Sequence, residues 1–349
     1  MREPSTVAPP AVGVIANPAS GRDLRRVLGW ASVVPSAEKV NVVLRLLGAL
    51  GQQGVGLAWM APDSAGIAAQ VREAAARARA QRGLPMPELR LLDLPVRDAA
   101  SDSADAAAAM AALGVRVIAV LGGDGTHRAV AARCGDVPLA TLSTGTNNAF
   151  PELREATQVG LAAGLVARGR VDPATALRRN KRLRVRGDGV DEIALVDVAL
   201  TRQRATGARA VWRAEDLSAL YVSFGEPGTI GLASIAGLSH PVARTDPWGL
   251  ALRLGRGRVL QAPLLPGVLQ PVAVAAARRL RPGVPEPLPA GTGTVALDGE
   301  REIEGDDRRP LTVELELAGP LTIDVDAVLA QAAREGLLFS PPGPLALED

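Results

Sequence analysis

The sequence predicts an α/β protein with an N-terminal parallel-sheet domain followed by a second, mainly β domain. In the first 150 residues, short apolar runs alternate with helix-length segments rich in Ala, Leu and Arg. From Lys181 onward, the long helical segments give way to short strand-like runs separated by turn signals. Strand–helix–strand alternation at this spacing is typical of a parallel sheet with helices on both faces. The length of 349 residues suits about two domains.

The first half of the chain contains five apolar runs of strand length: Val12–Ala16, Val55–Met60, Leu89–Leu94, Val115–Leu121 and Pro138–Leu142. Three segments between them predict helices: Glu38–Leu50, Ala65–Gln81 and Asp98–Leu113. A short helix is predicted at Arg128–Cys134, after the fourth strand. Pro151–Arg170 predicts a further helix, because proline near the start suits the first helical turn.

The second half reads as a series of short strands: Arg182–Arg186, Ile193–Leu200, Thr294–Leu297, Leu311–Leu317 and Leu321–Val325. Glycine-rich and proline-containing turns separate them. We expect the proline-rich segment Pro263–Pro289 to be an exposed connection and Asp326–Leu338 to be a last helix. The predicted organisation is an α/β domain over residues 1–150, a mainly β domain over 151–325, and a helix and tail over 326–349 that could pack back on the first domain.

Composition and charge exclude several classes of protein. The net charge of +2, the lack of a basic stripe and the total of four Trp, three Phe and one Tyr argue against a nucleic-acid partner. The single cysteine, Cys134, rules out an internal disulfide and a multi-cysteine metal site. The longest apolar window, Ala106–Gly123, is broken by Arg116 and by glycines, so we predict no membrane span and expect a cytoplasmic protein. The sequence leaves open whether the protein forms a homo-oligomer.

The most informative motif is a strand that runs directly into a glycine-rich turn. Val117–Leu121 is followed by Gly122-Gly123-Asp124-Gly125-Thr126 and then by the predicted short helix. Glycines let backbone N–H groups approach a ligand closely, and a helix N-terminus favours phosphate. Asp124 would repel a phosphate unless its carboxylate holds a cation or takes a proton. Taken alone, such a turn can also serve strand–helix geometry without any ligand.

Two further loops of small polar residues follow strands of the same predicted sheet. Ser143–Pro151 follows the fifth strand, and Asn17–Gly21 follows the first. Because ligands bind at the carboxyl ends of parallel strands, we expect all three loops to converge on one crevice. The sequence lacks the P-loop, the complete G-x-G-x-x-G fingerprint and the G-x-S-x-G elbow. The convergence favours one phosphate or nucleotide site over three unrelated turns.

Together these motifs resemble those of the NAD kinase/diacylglycerol kinase superfamily, and most closely those of ATP-NAD kinase-type proteins related to acetoin catabolism protein X. The resemblance extends over about residues 11–305 and is strongest over 115–160. It implies an α/β nucleotide-binding domain and a sandwich-like β domain. It also implies transfer of the γ-phosphoryl group of a nucleotide to a hydroxyl, with Mg²⁺.

The resemblance assigns roles position by position. Asp124 would act on the acceptor hydroxyl or position it. The residues that would bind the nucleotide are Asn17, Ser20, Gly21, Gly122, Gly123, Gly125, Thr126, Thr144, Gly145, Thr146, Asn147 and Asn148. In the second domain, the turn Asp298-Gly299-Glu300 resembles one of the lipid kinases, and Gly228-Thr229 loosely resembles a dinucleotide-pocket segment of NAD kinases.

Thr229, Asp298 and Glu300 are therefore a candidate second-domain site, and no metal ligand is assigned. Asp298 and Glu300 could order a metal or be solvated residues of a hairpin turn. His127 is expected to face solvent in the first turn of its helix. The predicted activity is an ATP-dependent kinase that converts NAD to NADP. The alternatives are a kinase for a lipid, such as diacylglycerol or a sphingoid base, or another small alcohol, and a nucleotide-binding regulator without turnover.

Overall fold

The N-terminal half of the chain folds around a seven-stranded sheet. The computed structural model describes residues 10–20, 29–32, 34–145, 147–187, 189–203, 211, 213–305, 308 and 310–343. The first five strands are β1 (Ala11–Ala16), β2 (Leu57–Met60), β3 (Glu88–Leu91), β4 (Val117–Gly122) and β5 (Leu139–Ser143). They run parallel in the order β3-β2-β1-β4-β5.

Helices cover both faces of this sheet, as a parallel sheet requires. Their bounds are α1 (Ser36–Gln52), α2 (Ile67–Arg82), α3 (Ala100–Ala112), α4 (Asp124–Ala131) and α5 (Ala156–Ala167). Alternate residues of β4 enter two cores: Val117, Ala119 and Leu121 pack with α1, α2 and α5, while Ile118 and Val120 pack with α3 and α4. The central strand is therefore buried on both sides.

The sheet is completed by segments from later in the chain. After α6 (Pro173–Ala176), strand β6 (Leu177–Arg179) pairs with β17 (Leu321–Ile323), and β17 pairs in parallel with β5. The following helix, α8 (Val325–Arg334), buries Val328 and Ala332 in the core that α1 and α5 share. Strand β17 thus lies in the N-terminal sheet. The predicted domain limits at residues 150 and 325 stay predictions.

The rest of the chain forms two antiparallel sheets packed face to face. Their strands are β7 (Arg182–Gly187), β8 (Val190–Ala194), β9 (Asp197–Thr201), β10 (Leu217–Val222), β11 (Gly249–Leu265), β12 (Val268–Leu280), β13 (Glu286–Pro287), β14 (Thr294–Leu297), β15 (Glu300–Glu304) and β16 (Thr312–Glu316). The six-stranded sheet has the order β12-β11-β10-β9-β14-β15, and the four-stranded sheet has the order β13-β16-β7-β8. Inward side chains such as Val185, Tyr221 and Val313 form the core between the sheets. Helix α7 (Ala233–Ser239) covers the other face of the larger sheet. The predicted fold class is confirmed.

Three predicted elements differ from the structure by more than a shift of their ends. Pro263–Pro289 is mostly the long β11–β12 hairpin and not a connection, because Pro271 lies on an edge strand, where a missing N–H costs no ladder bond. Ile193–Leu200 splits into β8 and β9, which belong to different sheets. The predicted helix Arg128–Cys134 begins four residues earlier, at Asp124, inside the glycine turn. No helix among the described residues is both long and apolar enough to cross a membrane.

Candidate functional site

The site is built on the carboxyl end of β4, where the strand passes through Gly123 into α4. A Cβ atom at Gly122 would lie 2.5 Å from the Cβ of Thr126, and one at Gly123 would lie 2.7 Å from Oδ1 of Asn148. Gly122 is therefore fixed by close packing on Thr126, whereas a side chain at Gly123 would displace the Asn148 amide. The first N–H groups of a helix have no partner within it, so the α4 N-terminus is suited to bind an anion.

The loop after β1 joins this turn through side-chain hydrogen bonds. Asn17 donates from Nδ2 to Oγ1 of Thr126 at 2.8 Å. The hydroxyl of Thr144, in the loop after β5, donates to Oγ of Ser20 at 2.9 Å. The three loops predicted to converge therefore do so, through contacts between residues more than 100 positions apart. Gly21 and Thr146 lie outside the described residues.

A buried lysine fixes the carbonyl groups of the loop after β1. Lys39, from α1, is 1% exposed, and its Nζ donates to the carbonyl oxygens of Asn17 at 2.8 Å, Pro18 at 3.1 Å and Ser20 at 3.3 Å. The ammonium group of a lysine has three N–H donors, and three carbonyl oxygens accept from that of Lys39. The loop therefore turns its carbonyls inward, toward Lys39.

The loop after β5 contains two asparagine side chains, of which one is hydrogen-bonded and the other has no hydrogen-bond partner in the described structure. Asn148 donates from Nδ2 to Oγ of Ser143 at 2.8 Å and to the Gly145 carbonyl at 3.3 Å. The amide oxygen and nitrogen of Asn147 are buried and have no hydrogen-bond partner within the described structure. A buried unpaired amide costs free energy, so Asn147 is a candidate to contact a bound ligand. Gly231 borders it, since a Cβ there would lie 3.8 Å from the Asn147 oxygen.

Asp124 opens α4, and the loop after β5 holds its carboxylate. The N–H of Ala149 lies 3.0 Å from Oδ2 and 3.2 Å from Oδ1, and the N–H of Phe150 lies 2.8 Å from Oδ1. Both oxygens are oriented by backbone donors. The carboxylate therefore has one fixed position beside the α4 N-terminus.

Asp298 lies in the two-residue turn between β14 and β15, with φ at +50°. Its buried carboxylate accepts N–H hydrogen bonds from Val196 at 2.8 Å and Leu195 at 3.1 Å, and Nε of Arg128 lies 3.7 Å away. Burial raises the pKa of Asp298 to about 7, although Arg128 lowers it, and the nearby Asp124 raises it further. Its backbone is thus that of a hairpin turn, but its side chain is not solvated.

Glu300 and Thr229 are placed differently with respect to α4. The Glu300 carboxylate lies against Gly125, since a Cβ at that glycine would be 3.5 Å from Oε1. Thr229 closes a local turn, in which its Oγ1 accepts the Glu226 N–H at 3.0 Å. Of the candidate second-domain residues, Asp298 and Glu300 face α4, whereas Thr229 hydrogen-bonds to Glu226 within its own turn.

Sequence reasoning missed Arg244 and misplaced His127. Arg244 donates to the carbonyls of Ala149 and Phe150, across 95 and 94 positions of sequence. No local pattern signals such a contact. His127 is fully buried, with Nδ1 2.9 Å from the Gly123 carbonyl, so the expectation that it faces solvent is wrong. The early start of α4 turns it inward, and burial lowers its pKa to about 4.

The described side chains do not form a resident metal site. No three of them from His, Cys, Asp and Glu lie close enough to hold a metal ion. Mg²⁺ usually binds one or two carboxylates together with substrate phosphates. The carboxylates at the α4 N-terminus include Asp124, which already accepts backbone hydrogen bonds, and Glu300. The Mg²⁺ that the resemblance implies would therefore have to enter with nucleotide phosphates.

Two family models of known proteins match different parts of the chain. Residues 12–171 match the family model of the ATP-NAD kinase N-terminal domain, and residues 181–318 match that of the acetoin catabolism protein X C-terminal domain. Acetoin catabolism protein X of Cupriavidus necator is 47% identical over 348 residues, covering 97% of this chain and 96% of that protein.

Two solved structures from Bacillus anthracis str. Sterne also resemble the chain. One is described as a diacylglycerol kinase, with 14% identity and a TM-score of 0.41, and the other as a putative diacylglycerol kinase, with 13% identity and a TM-score of 0.42. The similarity covers 90% of this chain and 96% of each of those chains.

The match to the ATP-NAD kinase N-terminal domain includes the glycine turn and supports a kinase-type phosphotransferase fold. Within that class, the near full-length match shows that the chain belongs to the acetoin catabolism protein X family.

Proposed function

We propose that the protein transfers the γ-phosphoryl group of ATP to the 2′-hydroxyl of NAD, which yields ADP and NADP. The observation that carries this proposal is the position of Asp124, held by two backbone N–H groups at the N-terminus of α4, where three loops meet. The match to the ATP-NAD kinase N-terminal domain supports the choice of donor and acceptor.

The donor phosphates would lie at the α4 N-terminus. There the backbone N–H groups of the first helical turn and the helix dipole favour negative charge. The hydrogen bond from Asn17 to Thr126 fixes the loop after β1 against this turn. The buried amide of Asn147 is free to hydrogen-bond the nucleoside part of a ligand. Phosphoryl transfer asks a protein mainly for such alignment and for charge neutralisation.

Asp124 would orient the acceptor hydroxyl and receive its proton. In the reaction the ribose oxygen bonds to the γ-phosphorus, the bond from that phosphorus to the β–γ bridging oxygen breaks, and the hydroxyl proton is released. A positioned proton acceptor is worth about 10²–10⁴-fold in rate. Mg²⁺ would enter with ATP and neutralise charge on its phosphates.

The test is formation of NADP by the purified full-length protein. NAD is supplied with ATP and Mg²⁺, and NADP is measured with an NADP-specific dehydrogenase. Parallel reactions replace ATP by another nucleoside triphosphate or by polyphosphate, and one contains a chelator. We expect NADP to form with at least one donor. No NADP with any donor would overturn the NAD kinase assignment.

A second candidate is a kinase for a lipid or another small alcohol. The placement of the Glu300 carboxylate against Gly125 favours it, because this brings the lipid-kinase-like Asp298-Gly299-Glu300 turn to the same helix N-terminus as Asp124. Incubation with γ-labelled ATP and extracted lipids or a panel of small alcohols distinguishes it. Label in an alcohol but not in NAD would favour this candidate over the first.

A further inference from the structure

We infer that Arg244 is a positioning residue for Asp124: from the loop before β11, its guanidinium fixes the peptide segment whose N–H groups hold that carboxylate. This inference rests on the proposed function, in which Asp124 handles the acceptor hydroxyl. Arg244 itself is not proposed to touch either substrate.

Arg244 and Asp124 bind the same two residues, Ala149 and Phe150. Arg244 bonds their carbonyls, and Asp124 accepts hydrogen bonds from their N–H groups. Nη2 of Arg244 donates to the carbonyl of Ala149 at 2.5 Å and to that of Phe150 at 2.8 Å. The N–H groups of Ala149 and Phe150 donate to Asp124 at 3.0 Å and 2.8 Å. Any shift of this segment away from Arg244 therefore moves the donors that orient the carboxylate.

The Arg244 guanidinium is itself held in one place by aromatic rings. It lies 4.1 Å from the centre of the Phe224 ring and 5.3 Å from that of Phe150, distances typical of cation–π contacts. Its backbone N–H donates to Oε1 of Glu226 at 3.2 Å. In a chain with three phenylalanines, two of them flank this guanidinium.

Lys181 hydrogen-bonds to the loop that carries Arg244. Nζ of this buried lysine donates to the carbonyls of Ala243 at 3.0 Å and Trp248 at 2.8 Å. Oδ2 of Asp246 accepts the N–H of Ala243 at 2.8 Å. These bonds hold the loop on both sides of Arg244, whose side chain contacts the segment after β5.

Charge and shape both require arginine at this position. Burial lowers the pKa of Arg244, whereas Glu152, Glu226 and Asp124 favour its charged form, and a guanidinium keeps its proton at any ordinary pH. Its guanidinium lies over the rings while its Nη2 bonds the two carbonyls. A lysine ammonium is a compact point charge that cannot do both.

The experiment compares Arg244→Lys and Arg244→Ala with Arg279→Ala. Arg279 is the control, because its guanidinium also lies over an aromatic ring, 4.6 Å from the centre of Trp248, but its side chain is exposed and has no hydrogen bond to Ala149 or Phe150 in the described part of the chain. For both Arg244 variants we expect kcat to fall about 10²-fold. The KM for ATP should stay within about threefold, and the Arg279 variant should retain the wild-type kcat. Added guanidinium should restore part of the kcat of Arg244→Ala but not of Arg244→Lys.

A second readout does not depend on turnover. Hydrogen exchange of a peptide spanning residues 144–152 should speed up in both Arg244 variants, while the peptides of α1 keep their wild-type rates. Faster exchange together with an inactive wild-type protein would count against the proposed function and leave the positioning role standing. Unchanged exchange, or a kcat that falls only in proportion to the folded fraction, would overturn the inference.

Discussion

The carboxylate of Asp124 has its orientation set by two backbone N–H groups, and this makes its replacement informative. In Asp124→Asn, an amide N–H₂ would face the N–H of Ala149, which now lies 3.0 Å from Oδ2. Two donors repel, and the variant also lacks a proton acceptor. We expect NADP formation to fall by about 10²–10⁴-fold, measured as kcat with saturating ATP and NAD.

A surface aspartate provides the control for that change. The side chain of Asp136 is 82% exposed and pairs with Arg179. Exposed pairs contribute little, so Asp136→Asn should retain wild-type kcat and stability. Equal activity of Asp124→Asn and the wild type would mean that this carboxylate takes no part in the reaction.

Two buried titratable groups near α4 give opposite dependences of stability on pH. Burial lowers the pKa of His127 from 6.5 to about 4, so between these values the unfolded chain binds more protons and stability rises with pH. Burial raises the pKa of Asp298 from 3.8 to about 7, so between those values the folded protein binds more protons and stability falls as pH rises. Each group contributes a slope of up to about 1.4 kcal/mol per pH unit.

Urea unfolding between pH 4.5 and 6.5 measures these slopes. The stability of Asp298→Asn relative to the wild type should increase with pH across this range, because the group that loses stability with pH is gone. The relative stability of His127→Gln should decrease with pH for the converse reason. Slopes of the same sign in the two variants would contradict the assigned burial of one of the two groups.

At the scale of elements, α1 contains two glycines with opposite requirements. A Cβ at Gly51 would lie 1.3 Å from the carbonyl oxygen of Pro85, a backbone atom that cannot move aside. A Cβ at Gly48 would meet only the terminal methyl of Met86, at 3.7 Å. Gly51 is therefore fixed by close backbone packing, whereas Gly48 only weakens the helix.

Alanine at the two positions should move stability in opposite directions. Gly48→Ala should stabilise the protein by up to about 1 kcal/mol, because alanine has the higher helix propensity. Gly51→Ala should destabilise it by about 1–3 kcal/mol, the range for overpacking. The free energy of unfolding from urea titration measures both, and a tolerated Gly51→Ala would show that the Pro85 segment does not lie against α1.

The sequence predicted the glycine turn and its partner loops because each follows an apolar strand of a parallel sheet, where local pattern and sheet chemistry agree. It could not predict Arg244, whose partners are set by packing between the sandwich and the loop after β5. The β11–β12 hairpin was missed for a local reason. Exposed residues such as Arg256, within the bulge of β11, and Pro271 obscure the alternation that marks a strand.

At the scale of the whole molecule, the C-terminal segment is part of the N-terminal unit. Strand β17 pairs with β5, and Ile323, Val325, Val328 and Ala332 are buried in the core with α1 and α5. A fragment ending at residue 318 would expose the edge of β5 and this apolar surface. We expect it to unfold at a lower temperature than the full chain.

The matching control supplies the missing segment. A peptide of residues 319–343, added to the fragment, should raise the melting temperature with peptide concentration, because ligands of the folded state stabilise it. A fragment that melts with the full chain, or that ignores the peptide, would show that β17 and α8 add nothing to the first sheet.

The two lysines of the chain each bond the carbonyls of a different loop, and both are at most 5% exposed. Reagents that acylate amines will therefore spare both side chains for as long as these loops keep their positions. Labelling of Lys39 would mark opening of the loop after β1, and labelling of Lys181 would mark release of the loop that carries Arg244. The scarcity of lysine thus gives this protein two built-in reporters of local opening, one for each loop.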